Sequence, residues 1–357
     1  MNIPRPTHHD DDAGLPGPYD GAESEDLWFL PAEPGEGLPL PPASGGSLVR
    51  AGDWRAAEAG LAADLAELAF DAGRLAERLR GPGEGAVQRL ALEEAAAVSW
   101  WTGDRIGGDR LALWLSYRIG AAEAGGEGLI RTAWAARRLM APRAAGVEAT
   151  VADLLGEGGQ GQGGQGQGGQ EHSGFARDVA GALAGVADLS PVVRACAAFH
   201  LWRSLDERPA HLSGLEAAVL GARLAGLGRA SGQGDLTFLP QALTGFGGLS
   251  AGGAPERRLA AWIQGAHRAV LAALMTLDRL AAWRQRGEAE TADLSGRTPA
   301  RLIATLAAQP MLGAALAETE TRASRAAVLR NLDLLTARGL VREVTGQGRF
   351  RVWAAKL

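Results

Sequence analysis

Seven residues near the C-terminal end have the types and spacing that bind a polyanion: Arg322, Ser324, Arg325 and Arg330, then Arg342, Arg349 and Arg351. An arginine guanidinium forks onto guanine edges or phosphate oxygens, and a serine ahead of a helix caps its first turn and can donate to a phosphate. The first four fall at the leading edge of a segment from Ser324 to Arg338. Its Val328, Leu329, Leu332 and Leu335 recur at helical spacing, and Gly339 stops it. The last three fall in two alternating runs, Leu340 to Thr345 and Arg349 to Trp353, around Gly346-Gln347-Gly348, which is a hairpin signal. Upstream, Leu302, Ile303 and Leu306 mark one short helix, and Leu312 and Leu316 a second. Three helices followed by a hairpin read as a winged helix-turn-helix. That arrangement places the start of its last helix in the major groove of DNA and its wing along phosphates or the minor groove.

Charge is distributed to match. Over 357 residues the formal net charge is −5, but residues 1–50 carry −7 and residues 291–357 carry +5. A basic C-terminal module on an acidic chain is the pattern expected when only that module meets a polyanion. Lys356 is the sole lysine, and the heavy use of Arg, Ala and Gly looks like the coding bias of a GC-rich bacterial genome.

The elements that must hold these arginines are mostly helical. Residues 1–47 are rich in Pro, Gly and acids and read as a flexible arm with one apolar patch, Leu27-Trp28-Phe29-Leu30. From Trp54 the pattern becomes an amphipathic stripe through Leu61, Leu65, Leu68 and Leu75, broken at residues 80–85 by Gly and Pro. Further helices are predicted over 86–101, 110–124, 128–140, 175–189, 191–205, 212–227 and 257–285. Ser190 caps the fifth of these, ahead of Pro191. Residues 156–171, with the run GGQGQGGQGQGGQ at their centre, form a flexible linker, and residues 287–296 are a polar separator. The expected organisation is an arm (1–47), an all-helical domain (48–287) and a winged helix-turn-helix domain (297–357), in a mainly α protein.

Other chemistry is poorly represented. The single cysteine, Cys196, permits no intramolecular disulfide and no Cys-rich zinc site, and points to a reducing compartment. His8 and His9 beside Asp10 to Asp12 lie in the arm, where no geometry is preorganised for a metal. No P-loop or dinucleotide-binding glycine pattern occurs. The most apolar run, Ala269 to Leu277, is far shorter than the ~20 residues of a membrane span. We therefore expect a cytoplasmic protein with no metal and no cofactor.

The segment from Ser190 to Leu205, SPVVRACAAFHLWRSL, resembles the helix that precedes the catalytic loop of Fic-family proteins. The stretch from Leu306 to Trp353 is similar to the winged helix that ends many bacterial members of that family. As a whole, the chain resembles a group of alphaproteobacterial, rhizobial-type helical proteins with a C-terminal helix-turn-helix. Fic enzymes transfer AMP using a loop of the type HPFxDGNGRxxR. Here the corresponding residues are Asp206-Glu-Arg-Pro-Ala-His-Leu-Ser-Gly-Leu215, with Asp206 in place of the histidine and no glycine-rich anion nest. The family's inhibitory glutamate is replaced by Thr102. The resemblance implies a catalytically degenerate Fic-like scaffold joined to a DNA-binding module. In the turn before Ser324, Glu318 and Glu320 depart from the family pattern by placing acids beside the DNA-facing residues.

These readings converge on a DNA-binding protein, a transcriptional regulator whose helical domain supplies homodimer or partner contacts and whose partner is double-stranded DNA. The alternatives are a divergent Fic-type nucleotidyl transferase, with His211 as a displaced base and Arg208 on a phosphate, and a protein-interaction module without catalysis.

Overall fold

A computed structural model describes residues 49–80, 84–119, 126–142, 144, 146–155, 175, 177–206, 208–226, 237–346 and 350–357, all within one compact unit, Ser44–Leu357. The arm, the Gly/Gln linker, the side chain of His211 and Arg349 lie outside the described residues. The chain is mainly helical. The body comprises α1 (Ala51–Gly60), α2 (Ala62–Leu79), α3 (Glu84–Thr102), α4 (Gly108–Tyr117), α5 (Gly126–Met140), α6 (Gly146–Leu155), α7 (residues 177–183), α8 (Pro191–Leu205), α9 (Ala210–Leu224), α10 (Gly247–Ser250) and α11 (Pro255–Glu290). The tail follows as α12 (Thr298–Ala308), β1 (Leu312–Gly313), α13 (Ala314–Thr321), α14 (Arg325–Ala337), β2 (Val341–Glu343) and β3 (Val352–Ala355).

Helix α8 forms the centre of the body. Its residues from Ala195 to Trp202 are all buried, as expected of a helix apolar all round, and Ser190 Oγ caps it by accepting the Val193 N–H. It packs along α9, while α11 runs beside α2 and across α1, α8 and α10. Helix α2 buries only one stripe, Leu68, Ala72, Leu75 and Leu79, the stripe its sequence announces.

Several boundaries differ from those read in the sequence, each for a local reason. The predicted first helix is two: at Leu61 the backbone leaves helical geometry, with its N–H still bonded to Ala57 O. Helix α4 stops at Tyr117 because Arg118 turns into the left-handed region at φ 57°. Leu312, read as helical, belongs to β1. Most notably, α11 runs through Gly287 to Glu290, about 54 Å in all, and so takes up the first four residues of the stretch 287–296 read as a separator. At Gly287 a Cβ would sit 2.8 Å from Ile303 Cδ1, so the missing side chain is what lets α12 close against α11.

The tail has its own core, made by Leu302, Ile303, Leu306, Leu312, Val328, Leu332, Leu335, Leu340 and Trp353, with Leu280 and Trp283 contributed by α11. Its sheet has the order β1-β3-β2, antiparallel throughout, with Leu312 opposite Trp353 and Val341 opposite Ala355. The central strand β3 is buried on both sides. Val352 and Ala354 join the body core, and Trp353 and Ala355 join the tail core.

Polar interlocks fasten the two parts. Trp283 Nε1 donates to Leu340 O at 2.7 Å, and the Gly313 N–H donates to Tyr117 Oη at 2.6 Å. The Arg89 guanidinium, from α3, caps the C-terminal carbonyls of α12, donating to Leu306 O and, at 2.6 Å, to Gln309 O. Burial pushes its pKa down to about 10. The α3 backbone approaches so closely that any Cβ at Gly85 would collide with Ala308 O.

Candidate nucleic-acid interface

Helices α13 and α14 are joined by three residues, Arg322 to Ser324. Arg322 takes the left-handed conformation that ends α13, at φ 52°, and Arg301 Nη1 donates to Thr321 O at 2.6 Å to satisfy that helix end. Ser324 then caps α14, its Oγ accepting the Ala327 N–H at 3.4 Å. Val328, Leu332 and Leu335 turn inward, so the opposite face of α14, with Arg325, Ala326, Arg330 and Asp333, is exposed. Helix α14 packs chiefly against α12, α13 and β2, which leaves that face clear of the helical body.

The structure brings Arg322, Ser324, Arg325 and Arg330 together at the start of α14, and adds Arg351 from the start of β3. Arg351 reaches Asp333 at 2.9 Å and Glu343 at 2.8 Å, with its guanidinium 4.8 Å above the Trp353 ring. Arg325 pairs with Glu318 at 3.3 Å. Arg342 goes elsewhere: it reaches Asp109 of α4 at 2.7 Å, a bond that holds its proton more tightly and ties β2 to the body. Of the six described members of the set, Arg322 and Arg330 alone are exposed cations with no carboxylate partner.

Of these carboxylates, sequence reasoning set Glu318 beside the DNA-facing residues and missed Asp109, Asp333 and Glu343. Glu318 lies seven residues before Arg325, across a three-residue turn, so a helix-turn-helix reading already places the pair side by side. Asp109, 233 residues from Arg342, carries no local signal.

At the stretch resembling the Fic catalytic loop, Asp206 follows α8 and Arg208 is held by two carboxylates, Asp206 at 2.6 Å and Glu216. Both partners of that guanidinium are acidic, so its charge is already met within the chain. Trp101 packs beside Phe199 with Arg203 stacked 5.4 Å from its ring centre, and donates to Ser250 Oγ at 3.2 Å. No helix among the described residues is long and apolar enough to cross a membrane. Comparison with protein-family models and with curated proteins finds no match for this chain.

Proposed function

We propose that the tail is a winged helix-turn-helix and that the protein binds double-stranded DNA through it, as a transcriptional regulator. The observation that carries this reading is the exposed, Ser-capped start of α14, with Arg322, Arg325 and Arg330 around it. A three-residue turn between α13 and α14, followed by an antiparallel hairpin, supports it. In this reading the start of α14 enters the major groove, Arg322 and Ser324 meet phosphates, and Arg330 with Arg325 reaches base edges.

The helical body supplies the homodimer contact in this proposal. Along the outer face of α11, Gln264, Arg268, Leu271, Met275, Asp278 and Ala282 are exposed at alternating spacings of four and three. Leu271 is 40% and Met275 64% exposed. In an antiparallel pairing centred on residue 273, Leu271 of one copy meets Met275 of a second, and Arg268 meets Asp278. A two-fold dimer then presents two copies of α14 to a palindromic site.

The test is fluorescence anisotropy of the full chain with duplex DNA at several salt concentrations. Affinity should fall steeply with salt, because each phosphate contact releases a counterion, and an Arg322→Ala/Arg330→Ala variant should lose most of it. Equal binding by variant and wild type would sink the α14 assignment. Sedimentation of Leu271→Glu/Met275→Glu should show monomer where the parent is dimeric.

A further inference from the structure

We propose that a pocket at the start of α6 binds a small oxyanion of phosphate type. It holds about 220 Å3 and is walled by Gly146, Thr150, Arg194 and Arg223, bringing together α6, α8 and α9. The site is independent of the DNA-binding reading.

Three observations carry the inference. The first is a surplus of positive charge. Arg223 is 1% exposed and donates to Asp153 and, at 2.8 Å, to Pro142 O. The same Asp153 also serves Arg138 at 2.7 Å, so one carboxylate answers two guanidiniums. The second is a missing partner. Arg194 has no acid or acceptor among the described residues, and its Nε is shut off from solvent. Arg223 Nε is likewise buried and unpaired. Arg194 is half-buried, and its Nε meets neither an acceptor nor water, so an anion in the pocket would supply the acceptor it lacks.

The third is the helix itself. Gly146 opens a ten-residue helix whose first N–H groups have no partner within the helix, and which concentrates partial positive charge at the pocket wall. Thr150 Oγ donates to Gly146 O at 2.7 Å and fixes that first turn. Glu148, in the same turn, is exposed to solvent. Guanidinium donors beside a helix N-terminus recognise an oxyanion, and the volume admits a phosphate group with a small substituent.

The experiment is titration calorimetry of the full chain with inorganic phosphate, against chloride at equal ionic strength, alongside thermal unfolding in each salt. The expected result is saturable binding to one site per chain, weakened at least tenfold in Arg194→Gln. Because the Arg194 side chain has no partner among the described residues, that variant should unfold in chloride at the same temperature as the parent or above it. Absence of saturable phosphate binding, or equal binding by Arg194→Gln, would overturn the site. So would a clear drop in the variant's unfolding temperature in chloride, since Arg194 would then be a structural residue. Glycerol phosphate in place of inorganic phosphate separates the two sources: tighter binding assigns a phosphomonoester, weaker binding the free ion, and both keep the pocket.

Discussion

The tail carries a net +5 over residues 291–357 and the body carries no such excess, yet each part holds both met and unmet cations. In the tail, carboxylates hold Arg325, Arg342, Arg351 and Arg338 and leave Arg322 and Arg330. In the body, Arg194 is unpaired, and Arg203 and Arg258 stand near His200 with only arginine charges named around that imidazole. Burial, with Arg258 and Arg203 beside it, pushes the His200 pKa down to about 3. Segment charge therefore says where a polyanion would be attracted from a distance. Pairing says which cations remain for it on contact.

Four outcomes would break or sharpen that contrast. The largest concerns whether body and tail are separable at all. Trp283→Ala removes a fully buried ring from the tail core and its bond to Leu340 O, and should cost about 3–5 kcal/mol. Denaturant unfolding followed by both fluorescence and circular dichroism should still show one transition. Two transitions would mean that the interlocks through Arg89 and Tyr117 do not couple the parts.

The next concerns pH and the buried charges of the body. Glu94 is fully buried, and burial raises its pKa to about 7, although the N–H groups of Gln241 and Ala242 at 2.8 and 3.0 Å favour the charged form. A carboxyl whose folded pKa lies above its unfolded value loses stability as pH rises through that interval, here between 4.5 and about 7, by roughly 3 kcal/mol. His200 works oppositely: with its folded pKa depressed, its contribution is lost as pH falls from 6.5 towards about 3. Unfolding temperature should therefore fall less steeply between pH 5 and 7.5 in Glu94→Gln than in the parent. An identical pH profile in the two proteins would refute the assignment.

A smaller effect tests the tail's pairing directly. Glu318→Gln with Asp333→Asn frees Arg325 and releases one of the two carboxylates on Arg351, and should raise DNA affinity severalfold at low salt. Unchanged or weaker binding would show that these carboxylates orient the arginines rather than compete for them. The smallest is Arg338→Ala. Its bond to Asp293 at 2.7 Å is at the surface, so unfolding temperature should barely move and DNA affinity not at all, as read by thermal unfolding and anisotropy.

Much of the fold was legible because the apolar stripes of α2 and α14, the Ser190 and Ser324 caps and the Gly339 stop are local signals. The failures share a cause. Gly287 reads as a helix breaker until Ile303 is seen against it, and Leu312 reads as helical until Trp353 is seen opposite it. In both cases a partner distant in sequence decides the conformation. The interface residues were legible by type, but not their availability, which depends on Asp109, Asp333 and Glu343. The α6 pocket left no sequence signal at all, since Arg194 and Arg223 sit on different helices and become neighbours only through packing.

Strand β3 joins the body core through Val352 and Ala354 and the tail core through Trp353 and Ala355, within four residues. The tail core is drawn from residues 280–355 alone, but the body core cannot close until a segment separated by hundreds of residues from much of it has arrived. Closure of this molecule is therefore a late, high-contact-order event, slow relative to the helices that prepare it. The same topology works in reverse: pulling β3 out opens two interiors at once, so partial opening at the tail offers little refuge short of global unfolding.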